Sequence, residues 1–190
     1  MRTLVFFTGL IIAGGALAVE PEALMADTRA QVLPTLPRIV AMMRATVKAE
    51  GAAGAIAVCK DKAPGMMKAR AGELGWQIRR VSLKARNPER GTPDVWEARQ
   101  LAEFNLRAAA GESPGAIEAG EIVTRPDGRQ AYRYMKALPV AEVCLSCHGE
   151  AATLPAGLTA ALARDYPQDR ATGYQLGQIR GALTVIRPLP

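Results

Sequence analysis

Leu36, Ile39, Val40, Met43 and Val47 recur at steps of three and four residues, which predicts an amphipathic helix from about residue 35 to Glu50. Gly51 and Gly54 punctuate it. Ala55, Ile56 and Cys59 share the apolar face of a second, short helix, and Pro64, which lacks a backbone donor and crowds the carbonyl of Lys60, breaks that helix. A restart near Pro64 runs to about Leu74. From Trp76 to Leu83 the pattern is extended, and Pro88 and Pro93 bracket the loop that follows. Thr92-Pro93-Asp94 predicts a helix start with proline at the first helical position and an acid at the positive end of the dipole. That helix runs to Ala110 and stops at Gly111. Residues 118–124 and 129–138 are two extended runs joined by Arg125-Pro126-Asp127-Gly128, a hairpin with a turn-forming loop. Residues 155–164 read as a short helix and 180–187 as a last strand.

Helices, then strand, helix, hairpin, helix and strand make an α+β domain with a small antiparallel sheet. The 190 residues fit one domain, 19–190, behind an export segment at 1–18. In that segment Arg2 precedes an apolar run from Leu4 to Leu17, closed by Ala16-Leu17-Ala18, a small-x-small cleavage site. The run contains Gly9, Gly14 and Gly15 and is shorter than the ~20 residues of a membrane span, so cleavage after Ala18 is expected. An uncleaved segment is the one route to a membrane. The expected location is the periplasm.

The formal charge is +6, and cleavage removes only the single positive charge of Arg2. The 24 basic residues are scattered without a block of like charge, which argues for a solvated surface and against a nucleic-acid partner.

Into this layout falls Cys144-Leu145-Ser146-Cys147-His148-Gly149, and His148 is the chain's only histidine. C-x-x-C-H is the signature of covalent c-type haem attachment, in which two thiols add to the haem vinyl groups and the histidine ligates the iron. A thioredoxin-like dithiol would come early, within a βαβ unit, and zinc would need two more ligands where only His148 and Cys59 remain as soft donors. One covalently bound haem c is therefore the expected cofactor, a chemistry performed outside the cytoplasm in bacteria. The position of the motif, after a hairpin, differs from that in small helical cytochromes, where it comes near the N-terminus.

A single histidine leaves the opposite face of the iron to another donor: Cys59, or one of the mature chain's methionines, of which Met66, Met67 and Met135 stand nearest in the layout. Cys59 has no disulfide partner once haem consumes the other two cysteines, and a buried, inert thiol is its alternative fate. Propionate partners are to be sought among Arg79, Arg80, Lys84, Arg86, Tyr132, Arg133 and Tyr134, with Arg86 and its neighbour Asn87 the leading pair because a proline-bracketed loop gives them no packing role. Trp76 and Trp96 read as core.

Ala57-Val58-Cys59-Lys60, Ser82 to Pro88, Tyr134-Met135-Lys136, Cys144 to Gly149, Tyr166-Pro167, Gly173-Tyr174 and Ile179-Arg180-Gly181-Ala182 stand in this order along the chain. Together they resemble a family of secreted c-type haem domains of unknown function, typified by a cyanobacterial protein and found also as the sensory part of histidine kinases. The resemblance covers residues 36–188. It implies a PAS-like sheet flanked by N-terminal helices, a haem loop after the hairpin, and His148 and the Cys59 thiolate as the two axial ligands.

The expected function is a monohaem c-type cytochrome in low-potential electron transfer or redox sensing, the potential being set by axial-ligand identity. The alternative is a gas sensor for CO or NO reporting to a separate protein, since no kinase segment accompanies the domain. Either role requires a periplasmic redox or signalling partner. A peroxidase, with no histidine to spare for a distal acid-base role, ranks last, so no enzymatic activity is expected.

Overall fold

The computed structural model describes residues 20–190. The expected export segment, residues 1–18, lies outside the described residues. Helix α1 (Pro21–Val32) opens this part of the chain, followed by α2 (Thr35–Gly54), a π-helical turn (Val58–Lys62), α3 (Ala63–Leu74), strand β1 (Gln77–Val81), the single turn α4 (Pro88–Gly91) and α5 (Val95–Ala109). Then come β2 (Glu118–Thr124), β3 (Gln130–Pro139), α6 (Glu142–His148), a 3-10 turn (Ala151–Thr153), α7 (Ala156–Asp165) and β4 (Ile179–Pro188).

The four strands form one antiparallel sheet in the order β1-β4-β3-β2, an α+β fold as the element order predicts. Period-two alternation assigns the residues of the two central strands, β3 and β4, to one face of the sheet or the other. Met135, Ala137 and Ala182 face α5, joining Trp96, Leu101 and Phe104 in one core. Tyr132, Tyr134, Leu183 and Val185 face the other way, against Leu24 and Val32 of α1 and Met67 of α3. With helices on both sides, β4 is buried residue after residue from Ile179 to Val185. A third cluster, Ile56, Leu158, Leu162 and Tyr166, lies off the sheet, with Cys147 packed against it.

Most predicted elements stand where the pattern puts them, and four corrections have physical causes. Helix α1 has no counterpart in the predicted order: its inward positions are Leu24, Thr28 and Val32, and the polar middle residue breaks the apolar spacing. Helix α5 begins at Val95 rather than Pro93, because Asp94 is the cap: its carboxylate accepts from Glu97 N at 2.9 Å while the Glu97 carboxylate accepts from Asp94 N at 2.9 Å. Pro64 does not break the chain of helices. The widened turn at Val58–Lys62, with Ala63 N bonded to Val58 O, leads straight into α3. The expected haem loop after the hairpin is helical, as α6.

Candidate functional site

Helix α6 places Cys144, Cys147 and His148 at i, i+3 and i+4, so all three project from one side of a single short helix. Val140, just before it, is tied to the approach of β4 through Val140 N to Gln178 O at 2.8 Å and Gly177 N to Val140 O at 2.9 Å. Gly149 ends it, with its N–H donating to Leu145 O at 3.0 Å. A Cβ on Gly149 would stand 2.7 Å from that carbonyl oxygen, so the residue after His148 has to be glycine for α6 to close this way.

His148 is buried, and its ring is fixed by a backbone partner. Nδ1 lies 2.6 Å from Ala171 O, and a carbonyl oxygen only accepts, so Nδ1 carries the proton and Nε2 keeps its lone pair. Arg180 Nε comes within 3.2 Å of the same Nδ1. Two N–H donors cannot bond to each other, so that contact is electrostatic. Burial first, then the nearby charges of Arg180, Arg86 and Arg80, push the His148 pKa well below its ordinary value despite the opposing pull of the Ala171 carbonyl. The imidazole is neutral, oriented, and donor-ready at Nε2, which is how a metal-ligating histidine is prepared.

Arg86 rivets three segments at this site. Its Nε donates to Asp169 Oδ2 at 2.8 Å and its Nη2 to Cys147 O at 2.6 Å. Asp169 in turn accepts from Ala171 N at 2.7 Å, which sets the carbonyl that holds His148. Arg86 thus reaches the site, as the sequence suggests, but its guanidinium is first occupied with protein acceptors. Asn87 caps α4 by accepting from Arg90 N at 3.2 Å. Neither geometry singles out a free carboxylate as partner. Arg79 and Arg133 are drawn away to the buried Glu97 on the α5 side.

Cys59 sits on the π-helical turn, half-buried, and belongs to the same neighbourhood as α6. The Cys147 pKa is raised, by burial first, lowered by Arg86 and raised again by the proximity of Cys59 and Cys144. Cys59 also lies near Tyr166, whose hydroxyl pKa is raised by burial and then by that thiol. The turn is pinned by Lys60 Nζ to Asp165 Oδ1 at 2.9 Å and by Arg90 Nη1 to Lys60 O at 2.9 Å. The methionine alternatives disperse: Met135 is in the core on the α5 side and Met67 in the core on the α1 side, while Met66 is half-buried on α3. Cys147 packs against the apolar cluster of Ile56, Leu158, Leu162 and Tyr166, with Cys59 and Cys144 near it, although among the described residues no three such side chains converge as a preformed metal cage.

Two contributors escaped the sequence reading in this role. Arg180 stands as an ordinary strand residue in the sequence, although an arginine among Ile179, Gly181, Ala182 and Leu183 in a strand buried on both faces was a usable signal. The Ala171 carbonyl carries no side-chain signature at all.

Comparison with known proteins gives a family and a fold. A family model described as "Tll0287-like: Tll0287" matches residues 18–188. Among solved structures, "Crystal structure of the cyanobacterial heme-protein Tll0287" is similar, with a TM-score of 0.65 and 23% sequence identity, covering 86% of this chain and 96% of that chain. No curated protein matches.

Proposed function

Because the chain belongs to the Tll0287-like family, we propose that it binds haem covalently through Cys144 and Cys147, with His148 Nε2 on one face of the iron and Cys59 on the other. The observation that carries the proposal is the Nδ1 contact to Ala171 O at 2.6 Å, which leaves Nε2 as the free donor of the motif's histidine. Bound there, the haem supplies one-electron chemistry. The chain's own residues hold the imidazole in one tautomer, keep a positive field behind it through Arg180, and bring a third thiol next to the motif on the π-helical turn.

The role is low-potential electron transfer or redox sensing in the periplasm, after removal of residues 1–18, without enzymatic turnover. An anionic sulfur donor favours the ferric state. The π-helical turn carrying Cys59 is the element whose geometry a change of ligation would alter, which favours a sensing role reported to a separate protein.

A pyridine haemochrome spectrum with an intact mass tests attachment and processing together: the expected mass is that of residues 19–190 plus one haem, and an unmodified mass sinks the proposal. For the axial set, Cys59→Ser is expected to change the optical and EPR spectra of the ferric protein while haem remains attached. Unchanged spectra exclude Cys59 as ligand. Ferric, ferrous and ferrous-CO absorbance then separates the two roles, since a carrier keeps both ligands and a sensor exchanges one.

A further inference from the structure

Arg180 enters the interior at the start of β4 with 5% of its surface exposed and no carboxylate bonded to it. Its Nη1 donates to Ser82 Oγ at 2.8 Å and to Lys84 O at 3.2 Å, and its Nε is spent against the His148 ring, where no acceptor faces it. Nη2 has no protein partner among the described residues. The nearby acid, Asp169, is taken by Arg86. A buried cation without a bonded counter-ion is a costly arrangement: burial first, then Arg80 and Arg86, lower the Arg180 pKa, and the opposing pull of Tyr174 and Asp169 does not make up for them.

The space beside Arg180 is a partly enclosed cavity of about 140 Å³. Ser82, Leu83, Lys84, Asn105 and Tyr174 line it with Arg180, and no acidic residue does. Lys84 Nζ donates to Thr172 O at 2.5 Å, which leaves two of its three N–H groups, and it stands 4.5 Å from the Tyr174 ring centroid. The Arg180 guanidinium lies 5.3 Å from the same ring. Two cations thus pack against one aromatic ring at the edge of a small void.

We infer that this cavity is an anion site that takes a small carboxylate, with Arg180 as its fork and Lys84 as its second charge. Guanidinium geometry matches the two oxygens of a carboxylate, and the volume admits a small acid but not a nucleotide. Neither His148 nor any of the three cysteines lines the cavity, which favours a diffusible acid over a haem propionate as its occupant. Resting on the haem reading above, one consequence follows: a carboxylate on Arg180 neutralises a positive charge 3.2 Å from the imidazole and favours the ferric state. The acid then binds the ferric protein more tightly than the ferrous.

Calorimetric titration of the mature haem-loaded protein with acetate, pyruvate and malonate, with chloride as control, is expected to show saturable binding of at least one acid and none of chloride. Arg180→Gln and, separately, Lys84→Gln are each expected to weaken it tenfold or more, with circular dichroism confirming the fold. The lysine variant decides the matter if the arginine variant fails to fold. A tenfold preference for the ferric form appears as a fall of about 59 mV in midpoint potential at saturation. If no free acid binds but Arg180→Gln shifts the infrared bands of the haem propionates, the carboxylate site stands with the cofactor's own arm as its ligand. Absence of both effects overturns the site, and equal binding in both redox states overturns its coupling to iron. A preparation whose mass shows no haem overturns the haem reading instead, while calorimetry still decides the cavity.

Discussion

At the scale of single residues, identity and occupation diverge. Arg86 shows it best: a loop arginine of the kind that binds carboxylates does bind one, but the carboxylate is Asp169, and the same guanidinium holds the Cys147 carbonyl. With side chains only 9% and 12% exposed, this pair falls in the class where removing one partner leaves a buried charge alone. Arg86→Gln is accordingly expected to lower the unfolding free energy by about 3 kcal/mol in a denaturant titration. A loss near zero removes the rivet from the account. Tyr132 presents the opposite case. Its hydroxyl is buried without a hydrogen-bond partner and lies over Gly120, where a Cβ would come within 2.1 Å of it. Deleting an unsatisfied hydroxyl relieves a desolvation penalty, so Tyr132→Phe is expected to leave stability unchanged or raise it by about 1 kcal/mol.

At the scale of elements, caps and turns decide what hydrophobic spacing alone cannot. The reciprocal bonds of Asp94 and Glu97 start α5, and Asp94 also receives Arg133 at 2.7 Å. Asp94→Ala is expected to cost about 1 kcal/mol of stability through the lost cap alone. At the other critical terminus, Gly149→Ala forces a Cβ against Leu145 O and displaces His148; under the haem proposal the expected signature is a changed haem spectrum with the cofactor still attached. The strands, the hairpin and α2, α3, α5 and α7 were legible because each presents an uninterrupted period or a named breaker. Helix α1 was not, since Thr28 occupies its middle inward position. The π-helical turn was not, because periodicity places Cys59 on an apolar face without revealing that the turn there widens. Of the candidate site, spacing drew attention to the motif cysteines and His148, and scarcity of donors to Cys59. Arg180 and the Ala171 carbonyl became visible only when β4 and the segment before it were folded against α6.

At the scale of the whole molecule, ion pairs join the outer helices to the sheet. Arg29 of α1 pairs with Glu118 of β2, which also accepts from Tyr134 Oη at 2.8 Å, and Arg187 of β4 pairs with Asp27 of α1 at 2.5 Å. Burial would raise the Glu118 pKa, but its bonds to Arg29 and Tyr134 outweigh that and hold it below the ordinary value of 4.5. A carboxyl whose folded pKa is depressed stabilises the fold above its unfolded pKa, and that contribution is lost as pH falls through the folded value. The melting temperature is therefore expected to drop below about pH 4.5, with part of the drop absent in Glu118→Gln. An identical acid limb in that variant argues against the linkage. One consequence of the strand order concerns how the protein is made. Because β4 lies between β1 and β3 and is the last of the four in the chain, only the β2–β3 hairpin of the sheet can pair before residue 179 has been synthesised. The cysteines of α6 precede that strand, so during biosynthesis they pass through a stage in which no closed sheet, no Arg180 and no Ala171 carbonyl yet surrounds them. The arrival of β4 is therefore the step that closes the sheet beside α6.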